Sequence, residues 1–292
     1  MVMKLENACL CVEIAEKGAE LTRILNKKTG AEILWNGDPK FWGRHSPILF
    51  PNVGKTYGNT MRIKGIQYPT SQHGFARDSE FRCVKAGVEE AEFLLCSNEE
   101  TKEVYPYDFE LYISYRLEGK KIHVDWKVKN PSEETIYFTI GAHPAFMFEK
   151  TEETKEDYLL WFPGMQKLIC CGLNLENGTG RPEAGYTLEL AEEYLQVSEE
   201  LFAVDTLICD DYQLKEVWLC KKEGRKPYVG IKSEGFYSYG IWSPKNAPFV
   251  CLEPWAGRCD DDGFDQEISE KKGINRVEPG EAFEKGYQIL VG

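Results

Sequence analysis

Phe109-Glu110-Leu111-Tyr112-Ile113-Ser114-Tyr115-Arg116-Leu117, then Glu118-Gly119-Lys120, then Lys121-Ile122-His123-Val124-Asp125-Trp126-Lys127-Val128-Lys129, carries the clearest periodicity in the chain. Phe109, Leu111, Ile113, Tyr115 and Leu117 alternate with Glu110, Ser114 and Arg116. After the turn, Ile122, Val124, Trp126 and Val128 alternate with His123, Asp125, Lys127 and Lys129. Successive side chains of a strand point to opposite faces, so this pattern predicts a long antiparallel hairpin with one buried face. His123 falls on the polar face and receives no role.

Shorter strands surround the hairpin. Cys9 to Ile14, Leu21 to Leu25 and Glu32 to Trp35 are separated by turn-prone segments and predict a meander. Met61 to Tyr68 alternates around Gly65, and Val217 to Cys220, Tyr228 to Ile231 and Tyr239 to Trp242 read as further strands. Ile274 to Val277 and Tyr287 to Val291 are expected to close the chain as a last hairpin. The fair helical pattern lies at Leu188 to Leu201, with Glu192, Glu193 and Glu199 exposed. Phe249 to Leu252 reads as a short buried strand that Pro254, lacking an N–H, should stop. With 13% aromatic residues, no repeat and no linker, residues 1–292 are expected to form one all-β domain, a large antiparallel β-sandwich with few short helices.

Composition narrows the partners. Thirty-five Lys plus Arg against 48 Asp plus Glu give a net charge of −13, which offers no long-range attraction to nucleic acid or to anionic lipid. No apolar run is long enough to span a bilayer, and the first residues lack the apolar core of a signal peptide. The expected location is the cytoplasm, where the ten cysteines would be reduced thiols. No C-x-x-C pair suggests zinc, and the Arg258 to Asp262 loop lacks the alternating ligands of a calcium site. Walker, dinucleotide and G-x-S-x-G signatures are absent.

Four ionisable residues fall at strand ends or in loops. Glu253 precedes Pro254 and Trp255, a carboxylate beside an indole face of the kind on which sugar C–H groups stack. From the residues alone it is equally a surface glutamate before a turn. In Ile136 to Phe146, the two-residue period puts Tyr137, Thr139, Gly141 and His143 on one face, a composition suited to a ligand surface. A core histidine bonded to a carbonyl fits as well. His73 precedes Gly74, which permits close backbone approach. Asp205 lies within an apolar stretch and must be paired, hydrogen-bonded or exposed at a bulge.

Ser46-Pro47-Ile48-Leu49-Phe50-Pro51-Asn52-Val53-Gly54, His73-Gly74-Phe75-Ala76-Arg77, Gly141-Ala142-His143-Pro144-Ala145-Phe146, and Gly240-Ile241-Trp242-Ser243 leading to Cys251-Leu252-Glu253-Pro254-Trp255 occur in this order. Together they resemble the aldose 1-epimerase (galactose mutarotase-like) superfamily, most closely its LacX-like branch, nearly end to end. The resemblance implies a galactose mutarotase-like supersandwich with a sugar cleft and no metal or cofactor. It implies interconversion of the α and β anomers of an aldohexose or hexose phosphate, with Glu253 as base and His143 as acid. His73 would bind the sugar and Asp205 a sugar hydroxyl. Arg44 is the first candidate for the substrate arginine and Arg77 the second; for a hexose 6-phosphate, Arg44, Lys55 and Arg77 would supply the cationic contacts. The galactose-specific members carry H-G-G and N-H-x-Y-F where this chain has His73-Gly74-Phe75 and Gly141-Ala142-His143-Pro144, so galactose is not assigned. The expected partner is a small-molecule sugar and the expected assembly a monomer or homodimer. Rival readings are a non-catalytic sugar-binding protein, a glycoside hydrolase using Asp205 and Glu253, and a metal site built from His73, His143 and Glu253.

Overall fold

The predicted hairpin forms, with Glu110–Glu118 paired to Lys121–Lys129 so that Glu118 faces Lys121 and Glu110 faces Lys129. The computed structural model describes residues 1–292. Leu111, Ile113, Tyr115, Leu117, Ile122, Val124, Trp126 and Val128 are all buried, as their alternation requires.

This hairpin is the centre of a nine-stranded antiparallel sheet. On one side lie Glu90–Cys96 and then Arg82–Ala86. On the other lie Ala282–Val291, Lys226–Lys232, Glu216–Lys221, Tyr158–Trp161 and Tyr194–Gln196. An eight-stranded sheet faces it, running from Thr179–Glu189 through Lys167–Asn174, Leu207–Cys209, Ser238–Trp242, Phe249–Ala256 and Ile140–Ala142 to Ile48–Leu49. Its eighth strand, Ala145–Met147, pairs with Phe249–Ala256 off this path. Val124, Ile231 and Ile289 of the first sheet share one apolar core with Leu207, Ile241, Val250 and Leu252 of the second. The result is an all-β sandwich of antiparallel sheets, as expected. The N-terminal meander is a four-stranded sheet of Val2–Glu6, Leu10–Ala15, Leu21–Asn26 and Ala31–Glu32. No helix is long and apolar enough to cross a membrane.

Three expectations fail, each because a partner distant in sequence outweighs a local signal. The strand beginning at Phe249 does not stop at Pro254 but runs to Ala256 with all eight residues buried. The Leu252 N–H donates to the Pro144 carbonyl at 3.2 Å, so by the two-residue period the nitrogen of Pro254 faces that same edge. The neighbouring chain there is between Ile140–Ala142 and Ala145–Met147, out of the ladder, and no N–H is required. The Ala142 carbonyl accepts instead from the Trp255 indole at 3.2 Å. Glu253 therefore sits inside a central strand rather than at its terminus.

Leu188 to Leu201 is not a helix. The strand Thr179–Glu189 passes through a turn into Tyr194–Gln196 and a short 3-10 turn, Glu200–Phe202. Glu192 and Glu193 take positive φ of 53° and 74°, and ladders to Tyr158–Trp161 and Lys167–Asn174 override the helical spacing of the leucines. The one α-helix is Glu99–Val104, six residues held by a capping box between Asn98 and Thr101. Finally, Asn275–Val277 pairs with Ile136–Phe138, and Ala282–Val291 lies between Lys121–Lys129 and Lys226–Lys232, so the two terminal strands do not form a hairpin.

Candidate active site

Alternation within Phe249–Ala256 divides its side chains between two environments. Val250, Leu252 and Ala256 enter the main core, while Phe249, Cys251, Glu253 and Trp255 point to the other face of the eight-stranded sheet. That face carries a cleft enclosing about 380 Å³, whose lining includes Glu253, His143, His73, Asp205, Arg77 and Trp255. Arg44 is outside this lining; it bonds Asp78 at 3.0 Å and lies in an adjoining depression with Arg77.

His143 occupies the break between Ile140–Ala142 and Ala145–Met147, where Pro144 forbids the helical conformation to the residue before it. Of the four residues expected to share a ligand face, His143 alone lines this cleft; Thr139 lines another cavity and Tyr137 packs against the main core, because the strand breaks at Thr139. Gly141 is required at its position because a Cβ there would fall 2.5 Å from the Trp255 ring. The imidazole is 7% exposed, stacked on Trp42 at 4.6 Å between centroids and met edge-on by Trp242 at 5.7 Å. Its Nε2 lies 3.4 Å from Glu253 Oε2. Neither Glu253 oxygen and not Nδ1 of His143 has a hydrogen-bond partner. Buried polar atoms without partners are costly, so this pair is a place where a polar ligand would be welcome.

Electrostatics follow from that burial. Desolvation, with the charge of Asp205 added, holds the Glu253 carboxyl well above its usual range. The Trp255 N–H pulls the other way only weakly, being committed to the Ala142 carbonyl. Burial, reinforced by Arg77 and Arg44, lowers His143 to about 3. Both shifts run toward the uncharged forms, a protonated carboxyl beside a neutral imidazole.

His73 meets His143 edge-to-face at 5.6 Å between centroids. It adopts φ 68° and Gly74 φ 69°; a Cβ on Gly74 would stand 2.2 Å from the Phe50 carbonyl oxygen, which accepts the N–H groups of Phe75 and Ala76. This turn explains the glycine beside the histidine. Nδ1 of His73 accepts the Gly54 N–H at 3.1 Å, leaving Nε2–H as the donor of the neutral ring. Burial first, then the nearby His143 ring and the charges of Arg77 and Arg44, lower the pKa of that ring and favour its neutral form. Asp205 is exposed on the turn before Leu207–Cys209, with φ 68°; its Oδ1 accepts from Thr206 Oγ1 at 2.9 Å. Arg77 Nη2 donates to the Gln72 carbonyl at 2.6 Å, and its Nε, buried without a hydrogen bond, lies 3.7 Å from Asp78 Oδ2. Trp255 is only 4% exposed, so Trp42 and Trp242, half-buried in the cleft wall, offer the larger indole surfaces.

Lys55, with Arg44 and Arg77 one of the cations expected for a phosphate, lines the cleft with its stem against Gly178. Other lining residues had no assignment in the sequence. Trp242 ends the strand Ser238–Trp242, and Trp42 lies in an aromatic loop, signals that strand and loop boundaries alone do not rank. Arg258, 2% exposed, bonds Asp210 at 2.8 Å and also Asp261. It thereby braces the loop carrying Cys259 under the cleft. A second cavity of about 280 Å³ holds Asp260 and Lys271, but these pair with each other at 2.7 Å and leave no free ionisable group between them.

The sequence profile of the family described as aldose 1-epimerase matches residues 1–199. Protein LacX, plasmid-encoded, of Lactococcus lactis subsp. lactis is 30% identical over 299 residues, covering 100% of this chain and 99% of its own length. The X-ray structure of a galactose mutarotase related enzyme from Lactobacillus acidophilus superposes with a TM-score of 0.94 at 31% identity, covering 100% of this chain and 97% of that one. A galactose mutarotase-like protein from Lactobacillus casei gives a TM-score of 0.90 at 27% identity, with both chains covered completely. On the profile match and the full-length likeness to LacX, the chain belongs to the aldose 1-epimerase family.

Proposed function

We propose that the protein is an isomerase that interconverts the α and β anomers of an aldohexose or a hexose phosphate, with Glu253 and His143 moving the protons. The observation that carries this reading is the 3.4 Å approach of His143 Nε2 to Glu253 Oε2 on the floor of an open cleft. A non-catalytic sugar-binding protein has no use for an acid and a base placed together.

The chemistry needs one proton at each of two sugar oxygens. Moving the resting proton from Glu253 to His143 leaves a carboxylate beside an imidazolium, with no net change in charge. The carboxylate then removes the proton of the C1 hydroxyl while the imidazolium donates to the ring oxygen, and the C1–O5 bond breaks to give the open-chain aldehyde. Rotation about C1–C2 presents the other carbonyl face. Reversal of both transfers closes the ring as the other anomer and restores both groups. Positioned acid–base groups contribute about 10²–10⁴-fold each. His73 Nε2–H would hold the sugar near its ring oxygen, Asp205 would accept from a hydroxyl at the rim, and the indoles would cover the C–H face. Arg77 and Lys55 are the cations available to a phosphate, and Arg77 displaces Arg44 as first choice because it lines the cleft.

NMR exchange spectroscopy between anomeric protons, over a panel of free and phosphorylated aldohexoses, tests the reading. Protein-dependent exchange for at least one sugar is expected; spontaneous rates across the whole panel would overturn it.

A further inference from the structure

Behind the cleft floor, Glu253 and His143 adjoin a third side chain that is fully buried and lies outside the cleft lining. Cys251 precedes Glu253 by two residues and so shares its face of the strand. One ligand atom each from His143, Cys251 and Glu253 lie within 4.8 Å of one another, all three residues being buried. We infer that these three side chains form a zinc site which, when filled, closes the sugar centre.

The donor set selects the ion. A thiolate, an imidazole nitrogen and a carboxylate oxygen together suit Zn²⁺, whereas Mg²⁺ and Ca²⁺ take oxygen ligands. Zinc holds such ligands at about 2.0–2.3 Å, which sets neighbouring donor atoms of a tetrahedron about 3.3–3.8 Å apart. The His143–Glu253 separation of 3.4 Å already meets that spacing, and the 4.8 Å span of the cluster leaves about 1 Å to close on binding.

Charge and satisfaction point the same way. Binding would release the proton of the Cys251 thiol and that of the Glu253 carboxyl, so two anionic ligands and a neutral imidazole cancel the double charge of the ion. In a water-poor pocket that neutrality matters, because an uncompensated charge there is expensive. The ion would also give the orphaned carboxylate oxygens a partner. His143 is held by Trp42 and Trp242, so its Nε2 is presented without further ordering. His73 is outside the cluster, so water from the cleft would complete the ligand set. Nine other cysteines, among them the exposed Cys96, lie outside this cluster, and the test must tell them apart from Cys251.

Only the word "closes" rests on the function proposed above; the metal site itself does not. The experiment titrates the full-length, reduced protein with Co²⁺ as a spectroscopic probe and with Zn²⁺ by calorimetry, for wild type, Cys251→Ser and Cys251→Ala. Near-ultraviolet circular dichroism checks that each variant is folded, and the second variant serves if the first is not. The wild type is expected to show one saturable site with a thiolate-to-cobalt charge-transfer band and a proton release that grows as pH falls. Both variants should lose the band and bind Zn²⁺ at least tenfold more weakly. In the NMR exchange assay, Zn²⁺ should inhibit the wild type reversibly, with a chelator restoring exchange, while Cys251→Ser keeps its basal rate and loses the sensitivity. An equal band and equal zinc affinity in wild type and variants, or no saturable site, would overturn the inference. A protein that shows the cobalt band but no anomer exchange supports the metal site and counts against the proposed function alone.

Discussion

Replacing Glu253 by glutamine should leave the fold intact and change how stability responds to pH, and the size of that change follows from burial. The unfolded chain gives up the Glu253 proton near the ordinary 4.5, whereas the folded chain keeps it well above that value. Above 4.5 the unfolded state is therefore the deprotonated one, and native stability falls as pH rises, until the folded carboxyl itself ionises. One proton corresponds to about 1.4 kcal/mol per pH unit. His143 acts in the opposite sense: burial lowers it to about 3 from 6.5, so its contribution is complete above pH 6.5 and is lost as pH falls toward 3. In the wild type the two slopes oppose each other between 4.5 and 6.5. Glu253→Gln removes only the unfavourable one, so above 4.5 the variant should gain on the wild type as pH rises, until the folded carboxyl ionises, by at most about 1.4 kcal/mol per unit. For a chain of this size that is roughly 2 °C in Tm per unit. Urea denaturation of both proteins from pH 5 to pH 7 reads the gap. Parallel stability curves over that range would refute the assignment of a protonated, buried carboxyl at 253.

Other positions give independent checks. Gly74→Ala places a Cβ 2.2 Å from the Phe50 oxygen at a φ of 69°; a loss of about 1–3 kcal/mol is expected in denaturant melts, with weakened sugar binding because His73 moves with the turn. Trp42→Ala removes the ring stacked on His143; steady-state kinetics should show a raised KM from the lost indole surface and a lowered kcat from the freed imidazole. Arg258→Met leaves Asp210 buried without its cation, and equilibrium unfolding should show a loss of about 3–5 kcal/mol.

Alternation was the legible part of this fold. The 109–129 hairpin and the strands near 217, 228 and 239 follow from a period of two. Pair-level signals failed where the deciding partner was remote. Pro254 looks like a stop until the break at His143 shows that its edge needs no N–H. The leucines between 188 and 201 look helical until strands on either side claim them. The order of strands was not readable, because ladder neighbours such as Lys121–Lys129 and Ala282–Val291 are separated by about half of the chain. Within the site, the motifs pointed to Glu253, His143 and His73, but their approach was not derivable from residues 110 apart. Arg258 sat inside what read as an acidic loop, and only its burial against Asp210 reveals its function. Trp42 carries no local mark that separates a cleft side chain from a surface one.

The central claim is that residues 143 and 253 transfer protons to and from one sugar. NMR exchange spectroscopy on the wild type, His143→Ala and Glu253→Gln, with the sugar that the wild type turns over fastest, measures it directly. The account predicts strong anomer exchange in the wild type and a loss of at least 10²-fold in each variant while sugar binding persists. Wild-type exchange rates in either folded variant would contradict it.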